Sequence, residues 1–227
     1  MLLLYSILFI LGTCIGSFIT CMAERTCRLV PVPDTNRSFC PHCYHRLRPW
    51  QLIPLLGVLI QRGRCFDCQH AISLRSTYLE LLCGGLLVVT YPHDFWTSTP
   101  LLLGYGVLLF NSITDQLNFA VYPYTLVLPG ILGLLHHRPI MSVPLLILIG
   151  LLIALFCLAR FTDKFGMGDV DVLILLACLA PPTAVITSLT LAAVAALVVF
   201  TCRRHPGRLP FVPFITWGFI FYTQLLS

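Results

Sequence analysis

Apolar residues are gathered in long blocks along this chain, with neither the two-residue period of a half-buried strand nor the polar stripe of a water-facing helix. Eight apolar runs lie at residues 2–20, 78–91, 101–113, 122–135, 143–159, 170–179, 186–201 and 211–226. A helix that is apolar all round belongs in a core or in lipid. Several runs fall short of the roughly 20 residues that cross a bilayer, so flanking residues must complete them. The pattern predicts an all-α polytopic membrane protein of about eight transmembrane helices. At Pro181-Pro182 the alternatives are a break between two helices and a kink in one long hairpin.

Composition agrees with the pattern. Of 227 residues, 58% are hydrophobic and 10% charged, whereas about a quarter are charged in soluble domains. The positive charge lies in connections, and Arg25, Arg28, Arg37, Arg46, Arg48, Arg62, Arg64 and Arg75 crowd the one long polar segment, residues 24–76. Cationic loops stay cytoplasmic, which puts this segment inside and the N-terminus outside. Counting spans from there, Arg160, Lys164, Arg203, Arg204 and Arg208 also fall inside, and only Arg138 falls outside. The net charge of +5 is then a topology signal, and no nucleic-acid partner is expected. The first run lacks a basic leader, so it reads as a retained span rather than a secretory signal. With no internal repeat or flexible linker, the expectation is one membrane domain, residues 1–227, carrying one cytoplasmic insertion, residues 24–76. Within that insertion the apolar stretch 51–60 is too short to span, and reads as an interfacial helix or the loop's own small core.

Seven of the eleven cysteines are scattered in or beside apolar runs, where cysteine behaves as a small hydrophobe. The other four form two C-x-x-C knuckles, Cys40-Pro41-His42-Cys43 and Cys65-Phe66-Asp67-Cys68. This spacing points to a tetrahedral zinc site. Disulfides are the alternative, disfavoured in a reducing compartment. His42, His45 or His70 could replace one thiolate. Four thiolates leave no open position for water, so the metal is structural and staples a loop with little core of its own.

Two carboxylates stand out against this background. Asp115 ends the third run, and Asp169 opens the sixth in Gly166-Met167-Gly168-Asp169. By the span count both lie at the cytoplasmic face and at similar depth. Ionisable groups in membrane segments point to function by default. A carboxyl pair sharing one proton can activate a water for attack on a peptide carbonyl. Gly166 and Gly168 permit a close approach of a second chain, for which an extended substrate is one candidate. A lone aspartate at a helix end is more often a cap, so the case rests on the two together.

These residues resemble the type IV prepilin leader peptidases, membrane aspartic proteases with a G-x-G-D motif. Gly16-Ser17-Phe18 is similar to the family's G-S-F, and the two knuckles to its zinc-binding loop. Tyr78-Leu79-Glu80-Leu81-Leu82 looks like its entry to the second span. Asp115 with Pro123, Gly166-Met167-Gly168-Asp169 and Leu209-Pro210-Phe211-Val212-Pro213-Phe214 follow in the family's order. The resemblance implies cleavage of prepilins or competence pseudopilins after a glycine, on the cytoplasmic side, with Asp115 and Asp169 as the catalytic pair. It further implies, for many members, methylation of the new N-terminus with S-adenosylmethionine. The compact loop and short chain look most like the late-competence peptidases of Gram-positive bacteria. Glu80 is either functional or a mark of helix entry at the interface. The chain departs from the family at Asp171, where a lysine is usual, which leaves a non-cleaving pilin-assembly scaffold as an alternative. A transporter or channel relaying protons or cations through Asp115 and Asp169 is the other, though transporter sites usually sit at the midplane.

Overall fold

A computed structural model describes residues 1–27, 37–90, 95–136, 141–162, 166–202 and 208–225. Among them there is no strand, only two isolated β-bridges. Eight long helices stand where the apolar runs predict them: α1 (Leu2–Thr26), α3 (Arg75–Thr90), α4 (Phe95–Asn118), α5 (Pro123–His136), α6 (Val143–Phe161), α7 (Met167–Leu179), α8 (Pro182–Cys202) and α9 (Val212–Leu225). A 3-10 turn (Pro49–Leu52) and α2 (Leu56–Ile60) lie between the first two. α1, α6 and α8 are long and apolar enough to cross a membrane, and α5 is a shorter apolar helix. Along α6 only Leu148 is buried. Such an apolar exterior is unfavourable in water and suits lipid.

The chain forms two compact units, Met1–Pro92 and His93–Ser227. In the first, α1 and α3 run antiparallel in close contact. A Cβ on Gly12 would meet the Cys83 carbonyl oxygen at 2.6 Å, and one on Gly16 the Leu79 carbonyl oxygen at 2.8 Å. Small residues at such a seam let two backbones pack directly, the usual device between helices in lipid. The stretch 51–60 has its polar groups inward: Gln51 and Gly57 are buried, whereas Leu56, Leu59 and Ile60 are exposed. It is therefore a hydrogen-bonded hub with an apolar outer surface.

In the second unit α4 is central, packing on α5, α7 and α9, with α8 against α9 and α6. Its core is Leu108, Leu109 and Ile113 of α4, Val172, Leu173 and Leu176 of α7, and Val212, Ile215 and Phe219 of α9. The Pro181-Pro182 alternatives resolve in favour of a break. α7 ends at Leu179, Ala180 is extended, and Pro182 opens α8, where a missing N–H costs nothing. Several helices outrun their apolar runs, α1 and α4 among them. α1 continues through Glu24 and Arg25 to Thr26, and α4 extends from Phe95 to Asn118, so Asp115 lies in a last helical turn rather than at a helix end. Helical hydrogen bonding does not stop where hydrophobicity does, because Met, Ala, Glu and Arg all favour the helix.

Candidate active site and metal centre

Asp115 is buried in the last turn of α4. Its carboxylate accepts a hydrogen bond from the Val212 N–H at 3.2 Å, and another from the N–H of Phe211. Val212 is the first residue of α9, so the carboxylate faces the positive end of that helix. Asp169 is the third residue of α7, is half-buried, and lies near enough to Asp115 for the two charges to interact. The structure thus brings the two aspartates together within one unit.

The glycines of the motif act locally. A Cβ on Gly166 would lie 3.2 Å from Oδ2 of Asp169, so the missing side chain clears room for the carboxylate. A Cβ on Gly168 would lie 2.6 Å from Cβ of Val121. The close neighbour of Gly168 is thus the Val121 side chain, on the protein's own α4–α5 turn. Asp171 is half-buried one turn-half further along α7. Of the cations considered as replacements for the family lysine, Arg160 is exposed at the end of α6, and Lys164 lies outside the described residues.

The four knuckle cysteines converge: their Sγ atoms all lie within 4.8 Å of one another, with Cys40 and Cys68 at 3.9 Å. Zinc–thiolate bonds of about 2.3 Å in a tetrahedron require sulfurs about 3.8 Å apart, so the cluster fits zinc. All four are free thiols, which sets aside the disulfide alternative. None of the three histidines enters the cluster; His42 and His70 stack on each other at 4.2 Å, and His45 Nε2 sits 3.7 Å from Asp67.

The knuckles are copies of one turn, a local repeat that the sequence reading did not see. Cys40 N–H donates to the His45 carbonyl and Tyr44 N–H to the Cys40 carbonyl; Cys65 and Gln69 repeat both bonds with His70 and Cys65. Tyr44 and Gln69 share a φ of +57°. Only the cysteines and histidines match between the copies, because the rest is backbone geometry. Partial burial opposes the Cys40 thiolate, but backbone N–H groups of Cys43 and His42 and neighbouring thiols hold its pKa down to about 7. The His70 N–H favours the Cys68 thiolate, yet burial and the other three sulfurs outweigh it and push the thiol up to about 12. Without a cation the cluster holds protons that a metal would displace.

Glu80 is buried in α3. Its carboxylate accepts from the Leu55 N–H at 2.8 Å and the Ser76 hydroxyl at 2.9 Å. Leu55 has a φ of +60°, strained for a residue other than glycine, so Glu80 anchors the hub to the helix pair. Glu80 also borders a cavity of about 290 Å³ inside the first unit, with Glu24, Arg25, Arg37 and His70 among its lining.

Residues 10–93 match the model of the bacterial peptidase A24 N-terminal domain. The chain is 30% identical over 203 residues to a prepilin leader peptidase/N-methyltransferase of Burkholderia pseudomallei, covering 80% of this chain and 65% of that one. The chain is similar to the type IV prepilin peptidases over most of its length. The enzyme of the same name from Neisseria gonorrhoeae is 29% identical over 240 residues, covering 86% of this chain and 82% of the relative. That from Myxococcus xanthus is 35% identical over 131 residues, 56% of this chain and 38% of the relative. The chain therefore spans well under half of the Myxococcus relative and just under two thirds of the Burkholderia one. No solved structure matches it.

Proposed function

We propose that the protein is a membrane aspartic endopeptidase that removes the leader from prepilins or competence pseudopilins, cutting after a glycine at the cytoplasmic face. The observation that carries this reading is the meeting of Asp115 and Asp169, from different helices, within interaction range. One carboxylate takes a proton from a water as its oxygen attacks the scissile carbonyl. The partner carboxyl donates its proton to the carbonyl oxygen; as the tetrahedral intermediate collapses and the C–N bond breaks, that proton returns to it, and the first carboxyl passes the proton taken from water to the leaving nitrogen. The arginine-rich segment 24–76 supports the orientation, with the N-terminus outside and the aspartates toward the cytoplasm.

The relatives' names pair this activity with N-methylation, which would transfer a methyl group from S-adenosylmethionine to the new N-terminus. The cavity of the N-terminal unit suits such a donor in polarity. Arg25 and Arg37 complement the carboxylate of its zwitterionic part, and Glu24 its ammonium. Equilibrium dialysis with labelled S-adenosylmethionine tests this assignment: Arg25→Ala with Arg37→Ala abolishes binding, and unchanged binding overturns it. Cys40, Cys43, Cys65 and Cys68 hold zinc as a structural ion.

A second reading has its own observation. The hydrogen bonds from Phe211 and Val212 make Asp115 a cap for α9, as a non-cleaving pilin-assembly scaffold would need. Co-expression of the chain with a prepilin, and mass spectrometry of its new N-terminus, separates the two. The peptidase reading requires a cut after glycine that is lost in Asp115→Asn and in Asp169→Asn. An intact prepilin in the presence of the native chain favours the scaffold.

A further inference from the structure

Asn111 is fully buried in the apolar interior of α4, one turn before Asp115. An amide in that setting is costly unless its groups are paired. Its Nδ2 donates to the Val107 carbonyl and to Thr125 Oγ1, each at 2.9 Å, and its Oδ1 accepts the Tyr122 N–H at 2.8 Å. Two further side chains hold the same turn. Thr114, also fully buried, donates to the Ala120 carbonyl at 2.8 Å, and Thr125 donates to the Tyr122 carbonyl at 2.7 Å. Phe119, at the start of the turn, has a φ of +53°, a left-handed conformation that side chains other than glycine seldom adopt. The turn is held in a strained shape by three side chains, where a simple surface connection would need none.

What the turn presents is Val121, and what it meets is Gly168. The allowance there is narrow, since even one added methyl on Gly168 would stand 2.6 Å from Cβ of Val121. Gly168 is bonded directly to Asp169. A rigid path thus leads from Asn111, beside Asp115, through Tyr122 and Val121 to Gly168 and the second carboxylate.

We infer that Asn111 and Val121 are positioning residues, and that the seat of Val121 on Gly168 fixes the separation of the two carboxylates. The activity readout of this inference rests on the two-aspartate reading above; the geometry does not. The hydrogen bonds of Asn111 go to Val107, Thr125 and Tyr122, not to either carboxylate. Asn111 acts through the turn, and the second glycine of the motif is required by this contact with the side chain of Val121.

The first test is kinetic, on the full chain in detergent with a prepilin peptide. Gly168→Ala and Asn111→Leu each lower kcat at least tenfold while KM stays within threefold. Adding Val121→Gly to Gly168→Ala restores kcat to within threefold of Val121→Gly alone. Native kcat in Gly168→Ala, or no restoration by Val121→Gly, overturns the inference. Where Gly168→Ala fails to accumulate, accumulation regained in the double variant supports it, and no gain overturns it. The second test needs no catalysis. Asp115→Cys with Asp169→Cys is treated with a short bifunctional maleimide, and the link is read by peptide mapping. Gly168→Ala slows linking at least fivefold and Val121→Gly restores it; a rate indifferent to both overturns the inference. A native chain that cleaves nothing, with linking that responds as described, removes the peptidase reading and leaves the inference standing.

Discussion

At the residue scale, Asp115 has two separable duties. Asn in its place keeps an oxygen for the Val212 N–H but cannot act as an acid or base. Ala in its place loses both. Asp115→Asn should therefore abolish cleavage with α9 still seated, whereas Asp115→Ala should also lose about 0.5–2 kcal/mol, the usual worth of a helix cap. Thermal unfolding of both variants in detergent checks this, and equal melting temperatures would argue against the cap. Glu80 makes a similar case. Gln retains acceptor oxygen for one of the two donors, while Ala orphans the Leu55 N–H at a cost of about 1–3 kcal/mol. Limited proteolysis should cut the knuckle segment faster in Glu80→Ala than in Glu80→Gln. The two aspartates and Glu80 were legible because charge is conspicuous in an apolar sequence. Asn111 was equally conspicuous within its apolar run, yet two of its three partners, Tyr122 and Thr125, come from a segment that only the fold brings back. Val121 carried no signal at all, because a valine in an apolar stretch is indistinguishable from core.

At the scale of the element, the knuckles depend on an ion that their own thiols cannot replace. Of the four, the Cys40 thiol titrates at about 7 and Cys68 stays protonated to about 12, so binding a divalent cation must expel protons. The sign follows directly: lowering the pH returns protons to the sulfurs and weakens the metal. Titrating zinc into apo protein in weak buffer should acidify the solution. Zinc affinity should fall with pH throughout the range below about 12, and more steeply below about 7, where Cys40 also takes up a proton. Affinity independent of pH between 6 and 8 would contradict thiolate ligation. Chelation or Cys43→Ser should expose the segment between the knuckles to protease while α1 and α3, which pack on each other directly, remain helical by circular dichroism. The C-x-x-C spacing made this element legible. Its internal symmetry shows in the sequence only as a shared C-x-x-C-x-H spacing, since the residues between differ and the second repeated bond is donated by Tyr44 in one copy and Gln69 in the other.

At the scale of the whole molecule, the apolar blocks located all eight long helices, because lipid selects for helices whose every face is apolar. Their ends were less legible. Composition marks where a chain leaves the apolar phase, whereas capping and propensity decide where a helix stops, and α1 and α4 run on past that point. The division into units at Pro92 left no mark in composition, since apolar runs continue on both sides of it. Counting spans puts Asp115 and Asp169 on one side of the bilayer, and the packing of α4 on α7 agrees with that count. That convergence is what gives the catalytic proposal its weight. Cleavage of a purified prepilin by the native chain, by Asp115→Asn and by Asp169→Asn, each at matched folded concentration, tests it most directly. The account predicts a single cut after glycine by the native chain, with the rate reduced at least a thousandfold in either variant. Processing at near-native rate by either one would contradict it.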